Sequence, residues 1–212
     1  MPRVDGAGVP FIAAALIPAL VLLAIGWTAW AIALGTIAGS FAFFFRDPAR
    51  QVPSGPDLVV APADGRVMIA GDAEAGTAPA GRWLQVSVFL SPLDVHINRS
   101  PVSGQVTRVE RQPGRFLPAY RPEARLNERT ELWLDHGGTP VVVRQVVGVL
   151  ARRIVCRAEV GRRLAAGERF GLMKFGSRMD VFLPPTATLA VNVGDRVRGG
   201  ETIIARLRSP AE

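Results

Sequence analysis

Charged residues are absent from one long segment near the start of the chain. No position between Val9 and Phe45 carries a charge, and most are Ala, Leu, Ile or Phe. A spanning helix needs about 20 apolar residues, so this stretch is too long for one comfortable span and just long enough for a tight hairpin of two. Gly26 or Gly35 offers a bend, but no polar loop separates two helices. The pattern predicts a membrane anchor over residues 1–45, as two full spans or as a deep re-entrant hairpin.

A cleaved signal peptide is the main alternative interpretation of this segment. Such a peptide has a basic start and a short apolar core. Here only Arg3 precedes the apolar run, Asp5 offsets its charge, and the run is more than twice as long as a signal core. We therefore favour the anchor. Arg46 and Arg50 follow the run directly and predict that the next domain lies on the cytoplasmic side of the cell membrane.

The rest of the chain shows short apolar segments separated by turn residues. A Pro- and Gly-rich linker over residues 46–57 precedes them. The segments cover residues 58–70, 82–90, 104–112, 131–150, 151–160, 171–184 and 188–207. Two are predicted hairpins, with turns at Asp64-Gly65 and at Gly137-Gly138. The pattern predicts a mostly-β domain, shaped like a barrel or sandwich, over residues 58–212.

The amino-acid composition limits which binding partners and which kinds of metal site are plausible. The net charge is +7, and 24 of the 25 basic residues are arginine, with Lys174 the only lysine. The excess favours an anionic partner, and beside a membrane anchor an acidic lipid surface is a simpler choice than nucleic acid. The single cysteine, Cys156, excludes an internal disulfide and a cysteine metal cluster, and we expect it in the core. Two distant histidines, His96 and His136, do not supply a metal site either.

Two segments resemble each other and suggest a carrier module. Residues 59–72, "VVAPADGRVMIAGD", and 189–205, "LAVNVGDRVRGGETIIA", are both strand–turn–strand units. The second has the pattern of lipoyl and biotinyl carrier barrels, with Lys174 as the candidate carrier lysine. A carrier lysine is usually flanked by a second methionine or an acidic residue, whereas Phe175 follows here. A membrane-tethered carrier using Lys174 stays open as an alternative function.

A Gly-Ser pair interrupts the last long apolar segment. Met179, Val181 and Leu183 lie on one side of a period-2 pattern, with Gly176-Ser177 directly before it. One interpretation is a hairpin corner, because Gly-Ser is a common turn pair. The other is a strained backbone that presents the serine for chemistry. The surrounding residues do not match the G-x-S-x-G elbow of hydrolases.

Of the two histidines, His96 is the better candidate for a role in catalysis. It lies between two Ser-Pro breaks in "FLSPLDVHINRSPVSG", whereas His136 lies at a predicted hairpin tip. A serine, a histidine and a carboxylate can act together when the fold assembles them. We therefore group Ser177 with His96 and with an acid such as Asp64 or, less strongly, Asp94.

Five sequence blocks in the same order carry a resemblance to a known family. They are "PADGRV", "FLSPLDVHINRSPVSG", "LNERTE", "LARRIVC" and "GERFGLMKFGSRMDVFLP". Together they resemble the short, single-domain (archaeal-type) phosphatidylserine decarboxylase proenzymes over most of residues 46–206. The apolar start of the chain is similar too. Agreement of five blocks is far more specific than any single motif.

The resemblance implies a carboxy-lyase that makes its own cofactor. Self-cleavage between Gly176 and Ser177 would leave a β chain, 1–176, and an α chain, 177–212, which begins with a pyruvoyl group and stays bound as a heterodimer. The amine of phosphatidylserine would form a Schiff base with that group, lose CO2 and leave as phosphatidylethanolamine. The resemblance implies no metal and no nucleic acid, and a higher homo-oligomer stays open.

The resemblance also assigns roles to individual positions. His96 would be the base, with Asp64 matching the aspartate of the family's Pro-x-Asp-Gly block. Arg99 stands where longer members have a second histidine, and since arginine is no base at ordinary pH, we expect it to hold substrate phosphate or carboxylate. Apolar walls around the reacting group are expected from Phe175, Met179 and Phe182.

Overall fold

The computed structural model divides the chain into two compact units. One covers Met1–Ala49 and the other Arg50–Glu212. The structure describes residues 3–73, 76–149, 153–174 and 176–208.

The first unit is a helical hairpin. Helix α1 covers Val9–Ala24 and helix α2 covers Thr28–Phe44, with a 3-10 turn at Gly6–Gly8 before α1. The chain reverses at Gly26, whose φ of +86° lies in the left-handed region that favours glycine. The predicted bend is therefore at Gly26, while Gly35 lies inside α2. Residues 6–24 are long and apolar enough to cross a membrane, and only 17% of that window is buried.

Contacts at the open end close this hairpin. Strand β1, Arg3–Val4, pairs with β2, Arg46–Asp47. The Asp5 amide donates a 2.9 Å hydrogen bond to the Phe45 carbonyl, and the Asp5 carboxylate accepts one from Ala7 N. Gly8 abuts the Phe45 ring, since a Cβ there would lie 2.4 Å from the ring. Both ends of the apolar segment are thus held together.

The second unit consists of three antiparallel sheets. The strands are β3 Leu58–Val60, β4 Gly65–Asp72, β5 Leu84–Leu90, β6 Ile97–Arg99, β7 Gly104–Gln112, β8 Arg129–His136, β9 Thr139–Val146, β10 Ile154–Cys156, β11 Arg163–Leu164, β12 Arg169–Met173, β13 Ser177–Leu183, β14 Thr188–Leu189, β15 Arg196–Val197 and β16 Ile203–Arg206. Eight of these described strands form the largest sheet, in the order β11-β7-β8-β9-β13-β5-β4-β15. The two three-stranded sheets have the orders β10-β12-β6 and β14-β16-β3. The prediction of a mostly-β domain is confirmed.

The hairpin predictions had mixed outcomes. Strands β8 and β9 form the predicted hairpin, with Gly137 and Gly138 in its turn. The Asp64-Gly65 hairpin was wrong, because β3 and β4 lie in different sheets. Instead the two look-alike segments bond to each other, β3 with β16 and β4 with β15. The strands of each segment therefore pair with strands of the other segment and not with each other.

All three sheets of the second unit contribute to one apolar core. It includes Val59 of β3, Val88 of β5, Met173 of β12 and Val181 of β13, all fully buried. Cys156, expected in the core, is only partly buried and packs against the edge of the core; burial raises the pKa of its thiol, partly offset by a hydrogen bond from the Ala158 backbone. Strand β13 lies at the centre of the large sheet, with β5 on one side and β9 on the other. This places Ser177 at the start of the most enclosed strand.

Candidate active site

The Gly176-Ser177 pair lies at a corner between two sheets. Strand β12 ends at Met173 in a three-stranded sheet, and β13 begins at Ser177 in the eight-stranded sheet. The interpretation as a hairpin turn was therefore wrong, since the flanking strands are not partners. Gly176 has a φ of +67°, which a residue with a Cβ adopts at a cost. Phe175 lies outside the described residues.

The carbonyl oxygen of Gly176 lies close to a second glycine. A Cβ built on Gly148 would lie 2.0 Å from this oxygen and 3.5 Å from the Ala119 side chain. No side chain other than hydrogen fits at position 148 without displacing the carbonyl. Gly148 is a site residue that our sequence analysis missed. The signal for it is a glycine at the end of an apolar strand, which indicates close backbone approach.

Ser177 combines full burial with an unused hydroxyl. The residue is 0% exposed, and its Oγ has no hydrogen-bond partner among the residues that the structure describes. A buried hydroxyl without a partner is costly, so such a group in a native protein points to a use in chemistry. Its backbone is fixed by register with Leu90 of β5.

His96 is held against the segment that leads to this corner. The amide of Met173 donates a 3.3 Å hydrogen bond to the His96 carbonyl, and the ring nitrogen Nδ1 lies 2.9 Å from the carbonyl oxygen of Asp94. A carbonyl oxygen only accepts, so Nδ1 carries the proton and Nε2 of the neutral ring carries the lone pair. The buried imidazole is thus oriented as a base through Nε2.

The two candidate acids have other partners. The Asp94 carboxylate accepts a 2.8 Å hydrogen bond from Ser91 N, so it is the backbone of Asp94 that contacts the imidazole. Asp64 accepts from Arg50 Nη2 at 2.9 and 2.8 Å, and from Gly199 N at 2.7 Å. Asp64 therefore connects the linker to the C-terminal segment.

The expected substrate contacts lie in three different surroundings. Arg99 is buried, with Nη1 donating to the Gly167 carbonyl at 3.1 Å. Met179 is fully buried in the core, on the same face of β13 as Ser177. Phe182 lies on the opposite face of β13, where the guanidinium of Arg144 stacks on its ring at 4.6 Å. Alternation along β13 thus separates Phe182 from Ser177.

An apolar cavity opens beside Gly176. It has a volume of about 260 Å³. Its lining residues are Phe89, Pro92, Pro118, Ala119, Tyr120, Val149 and Gly176. Phe89 and Tyr120 meet edge to face, with ring centroids 5.9 Å apart. The cavity is a mainly apolar recess, open to solvent, with Gly176 in its lining.

A buried asparagine fixes the wall of this cavity. The Asn127 side chain accepts from Leu117 N at 2.9 Å and donates to Leu117 O at 2.7 Å and to Val147 O at 2.8 Å. It thereby ties the loop that carries Pro118 to the strand end that leads into Gly148. Asn127 lies in the "LNERTE" block, but its role depends on contacts that the sequence does not reveal.

Lys174 does not have the setting of a carrier lysine. A carrier lysine lies at a hairpin tip, whereas Lys174 follows β12 at the corner between two sheets. Its side chain is half-buried. The local structure therefore favours chemistry at the Gly-Ser bond over modification of this lysine.

Comparisons with known proteins agree with the geometry. A family model described as phosphatidylserine decarboxylase matches residues 37–205. The phosphatidylserine decarboxylase proenzyme of Symbiobacterium thermophilum is 47% identical over 97% of this chain and 96% of its own length. The proenzymes of Nitrosomonas eutropha and Mycobacterium bovis are 42% and 46% identical over 98% of this chain, covering 96% and 91% of their own lengths. The chain belongs to the phosphatidylserine decarboxylase family and is a carboxy-lyase.

Proposed function

We propose that this chain converts phosphatidylserine to phosphatidylethanolamine and CO2, using a pyruvoyl group that it makes from Ser177 after self-cleavage. The observation that carries the proposal is the buried Ser177 Oγ, directly after a left-handed glycine, which has no hydrogen-bond partner among the described residues. The site fits a pyruvoyl group, because conversion of this hydroxyl would break no hydrogen bond within the described part of the chain.

Maturation would use atoms of the chain and one water. Ser177 Oγ attacks the Gly176 carbonyl carbon, the C–N bond breaks, and the amide becomes an ester with a free amine. Removal of the Ser177 α-proton then expels the Gly176 carboxylate and leaves dehydroalanine. Its imine form reacts with water, releases ammonia and leaves the pyruvoyl group at the new N-terminus.

The proton transfers need a base, and His96 is the best-supported candidate. Its Nδ1 contact with the Asp94 carbonyl leaves the lone pair on Nε2, the form that accepts a proton near neutral pH. Gly148 supports the first step in another way. Without a Cβ it leaves room for the Gly176 carbonyl to change from planar to tetrahedral.

The two products of cleavage would stay together. Strand β13 is bonded to β5 along Ser177–Leu183 and to β9 along Arg178–Phe182. The new chain end would therefore be fixed at the centre of the sheet. The Asp64 carboxylate, on the β chain, also accepts from Gly199 N, on the α chain.

A pyruvoyl group at position 177 supplies an electron-accepting carbonyl for the loss of CO2. The protein would supply an apolar surrounding, from which a bound substrate would displace water, because the recess beside Gly176 is lined mainly by apolar side chains. Exclusion of water favours loss of a charged carboxylate. Phe89 and Tyr120 would contact the substrate in this cavity.

The first unit is suited to hold the enzyme at its lipid substrate. Its helices expose large apolar side chains, including Ile17, Leu20, Trp30 and Ile32. Burial of such surface in lipid is favourable. Two arginines, Arg46 and Arg50, follow the apolar run. The side chain of Arg50 is buried against Asp64 and is therefore not available to anionic lipid.

A direct assay tests this function. The full-length protein in detergent micelles is incubated with phosphatidylserine, and the lipid products are separated. Phosphatidylethanolamine should form with release of CO2 from wild type and not from the Ser177→Ala variant. Absence of turnover by a cleaved wild-type protein would overturn the substrate assignment, and turnover by Ser177→Ala would overturn the role of Ser177.

A further inference from the structure

A second cavity lies on the outer face of the large sheet. It has a volume of about 300 Å³ and is bounded by residues 76–80 and by strands β7, β8 and β9. Cross-strand register places Arg108 opposite Trp133, Glu110 opposite Glu131 and Glu131 opposite Arg144. Register partners share a face, so these side chains form one polar surface beneath the loop. Ser177 has the other parity on β13 and lies on the core face.

Positive charge predominates in this cavity. Its described lining contains three arginines, Arg108, Arg129 and Arg144, and two glutamates, Glu110 and Glu131. Arg108 pairs with Glu110. The other two arginines share one carboxylate, because Glu131 Oε1 lies 2.7 Å from Arg144 Nη2 and 3.6 Å from Arg129 Nε.

Three buried donor atoms in the lining make no hydrogen bond of 3.5 Å or less to the described residues, although one of them, Arg129 Nε, is 3.6 Å from Glu131 Oε1. They are Thr77 Oγ1, Arg129 Nε and Trp133 Nε1. Thr77 is 96% buried, since its exposed fraction is 4%. Buried donors without acceptors are destabilising, so an acceptor in the cavity would stabilise the fold. The guanidinium and the indole N–H can only donate, and the Thr77 hydroxyl can donate, which favours an anion over a metal cation.

The cavity is held in shape by its own hydrogen bonds. Arg144 Nη1 donates to the Thr77 carbonyl at 2.6 Å, which fixes the loop over the sheet. The Trp133 ring meets Trp83 edge to face at 6.0 Å and lies under the Arg108 guanidinium at 5.7 Å. Burial, and then the charge of Arg144, lower the pKa of Arg129, as expected for a cation with too little compensating negative charge.

We propose that this cavity binds a phosphate-class oxyanion, through the guanidinium of Arg129, the indole N–H of Trp133 and the hydroxyl of Thr77. Arginine and neutral N–H or O–H donors are the groups that phosphate oxygens accept from. The phosphate of a lipid headgroup and free phosphate offer the same oxygens. The proposal is independent of the reaction at Ser177.

Calorimetric titration of the full-length protein in a nonionic detergent tests this site. Inorganic phosphate and glycerophosphoserine, a headgroup without acyl chains, are the two probes, each compared with chloride at equal ionic strength. Saturable binding is expected for at least one probe, and the one that binds identifies the source. Arg129→Gln should weaken it by at least about tenfold, the loss of one charge-assisted hydrogen bond.

Two further variants make the result specific. Trp133→Phe removes the donor and keeps a smaller aromatic ring at the position, so binding should weaken several-fold while thermal melting shows that the protein is still folded. Arg111→Gln removes the same charge from β7, but Arg111 has the opposite parity and pairs with Glu128, so binding should be unchanged. Absence of saturable binding by both probes, or equal losses in Arg129→Gln and Arg111→Gln, would overturn the proposal.

Discussion

The amide of Met173 donates its hydrogen bond to the carbonyl of His96, at 3.3 Å. Four residues further along the chain, Ser177 pairs with Leu90. The segments 173–177 and 90–96 are therefore tied together at both ends. The candidate base and the candidate scission bond lie in one closed loop of backbone, although they are far apart in sequence.

Gly148→Ala should block maturation while leaving the fold intact. The new Cβ would lie 2.0 Å from the Gly176 oxygen, so the carbonyl that Ser177 attacks must move. Position 148 does not have a left-handed φ, so alanine adds no backbone strain of its own. Scission, followed on a denaturing gel, should slow by at least about 100-fold, the cost of misplacing a reacting group.

Gly71→Ala is the matched control for this variant. Gly71 also lies in the large sheet, in β4, but a Cβ there meets no atom within 4 Å. It should mature like the wild type. Equal maturation of both alanine variants would show that the contact between Gly148 and Gly176 has no part in the reaction.

The two histidines allow an equally clean comparison. His96→Ala removes the oriented imidazole and should stall scission, because the attack by Ser177 would lose its proposed base. His136→Ala removes a ring at the β8–β9 turn whose Nδ1 is hydrogen-bonded to the Ser103 carbonyl, far along the chain from the Gly176-Ser177 corner, and should have no effect on scission. Equal rates for the two variants would place the base elsewhere in the chain.

Asp64→Asn separates a structural role from a catalytic one. Arg50 is almost fully buried, and its hydrogen bonds to Asp64 depend on the negative charge. Breaking such a pair should lower the free energy of unfolding by about 3 kcal/mol, while scission proceeds at nearly the wild-type rate. Denaturant unfolding measures the first quantity and the gel the second. Unchanged stability with lost scission would instead restore Asp64 to the orientation of the base.

The ion pairs of Glu201, in the C-terminal segment, should make the free energy of unfolding depend on pH. Burial alone would raise its pKa, but the Gln51 amide and the guanidiniums of Arg198 and Arg50 outweigh burial and hold the pKa below its usual value. A depressed folded pKa gives stability that is complete above the unfolded pKa of about 4.3 and is lost as the pH falls through the folded value.

Thermal melting of Glu201→Gln against wild type measures this effect. The wild type should be more stable near neutral pH, by less than about 1 kcal/mol because the ion pairs are partly exposed. The difference should disappear in acid. A difference that persists or grows as the carboxylate is protonated would contradict this assignment.

Local sequence patterns predicted local structure well. The β8–β9 hairpin follows from alternation around Gly137-Gly138, and the helical hairpin follows from the apolar run with a bend at Gly26. Pairing over long distances was not predictable in this way. The chain bends at residues 62–64, just before β4, but β3 and β4 bond to strands near the end of the chain. Alternation of apolar and polar residues shows which face of a strand is buried, but it does not show which strand pairs with it.

In the candidate site, too, local motifs were recognisable from sequence and contacts between distant residues were not. Ser177 and His96 were proposed from sequence, because their surroundings form distinctive motifs, and their roles stay predictions. Gly148 was missed, since its importance depends on a contact with Gly176 that only the fold creates. The partners of Asp64 are likewise distant in sequence, at Arg50 and Gly199. An aspartate in a motif can therefore have a role in assembly.

Intact mass of the purified protein under denaturing conditions tests the central claim most directly. The account predicts two chains, one ending at Gly176 and one covering residues 177–212, whose mass is lower than that of the unmodified segment by one NH3. Ser177→Ala should give a single chain, and Ser103→Ala should be processed like the wild type. One intact wild-type chain, or a fragment that begins with an unmodified serine, would contradict the account.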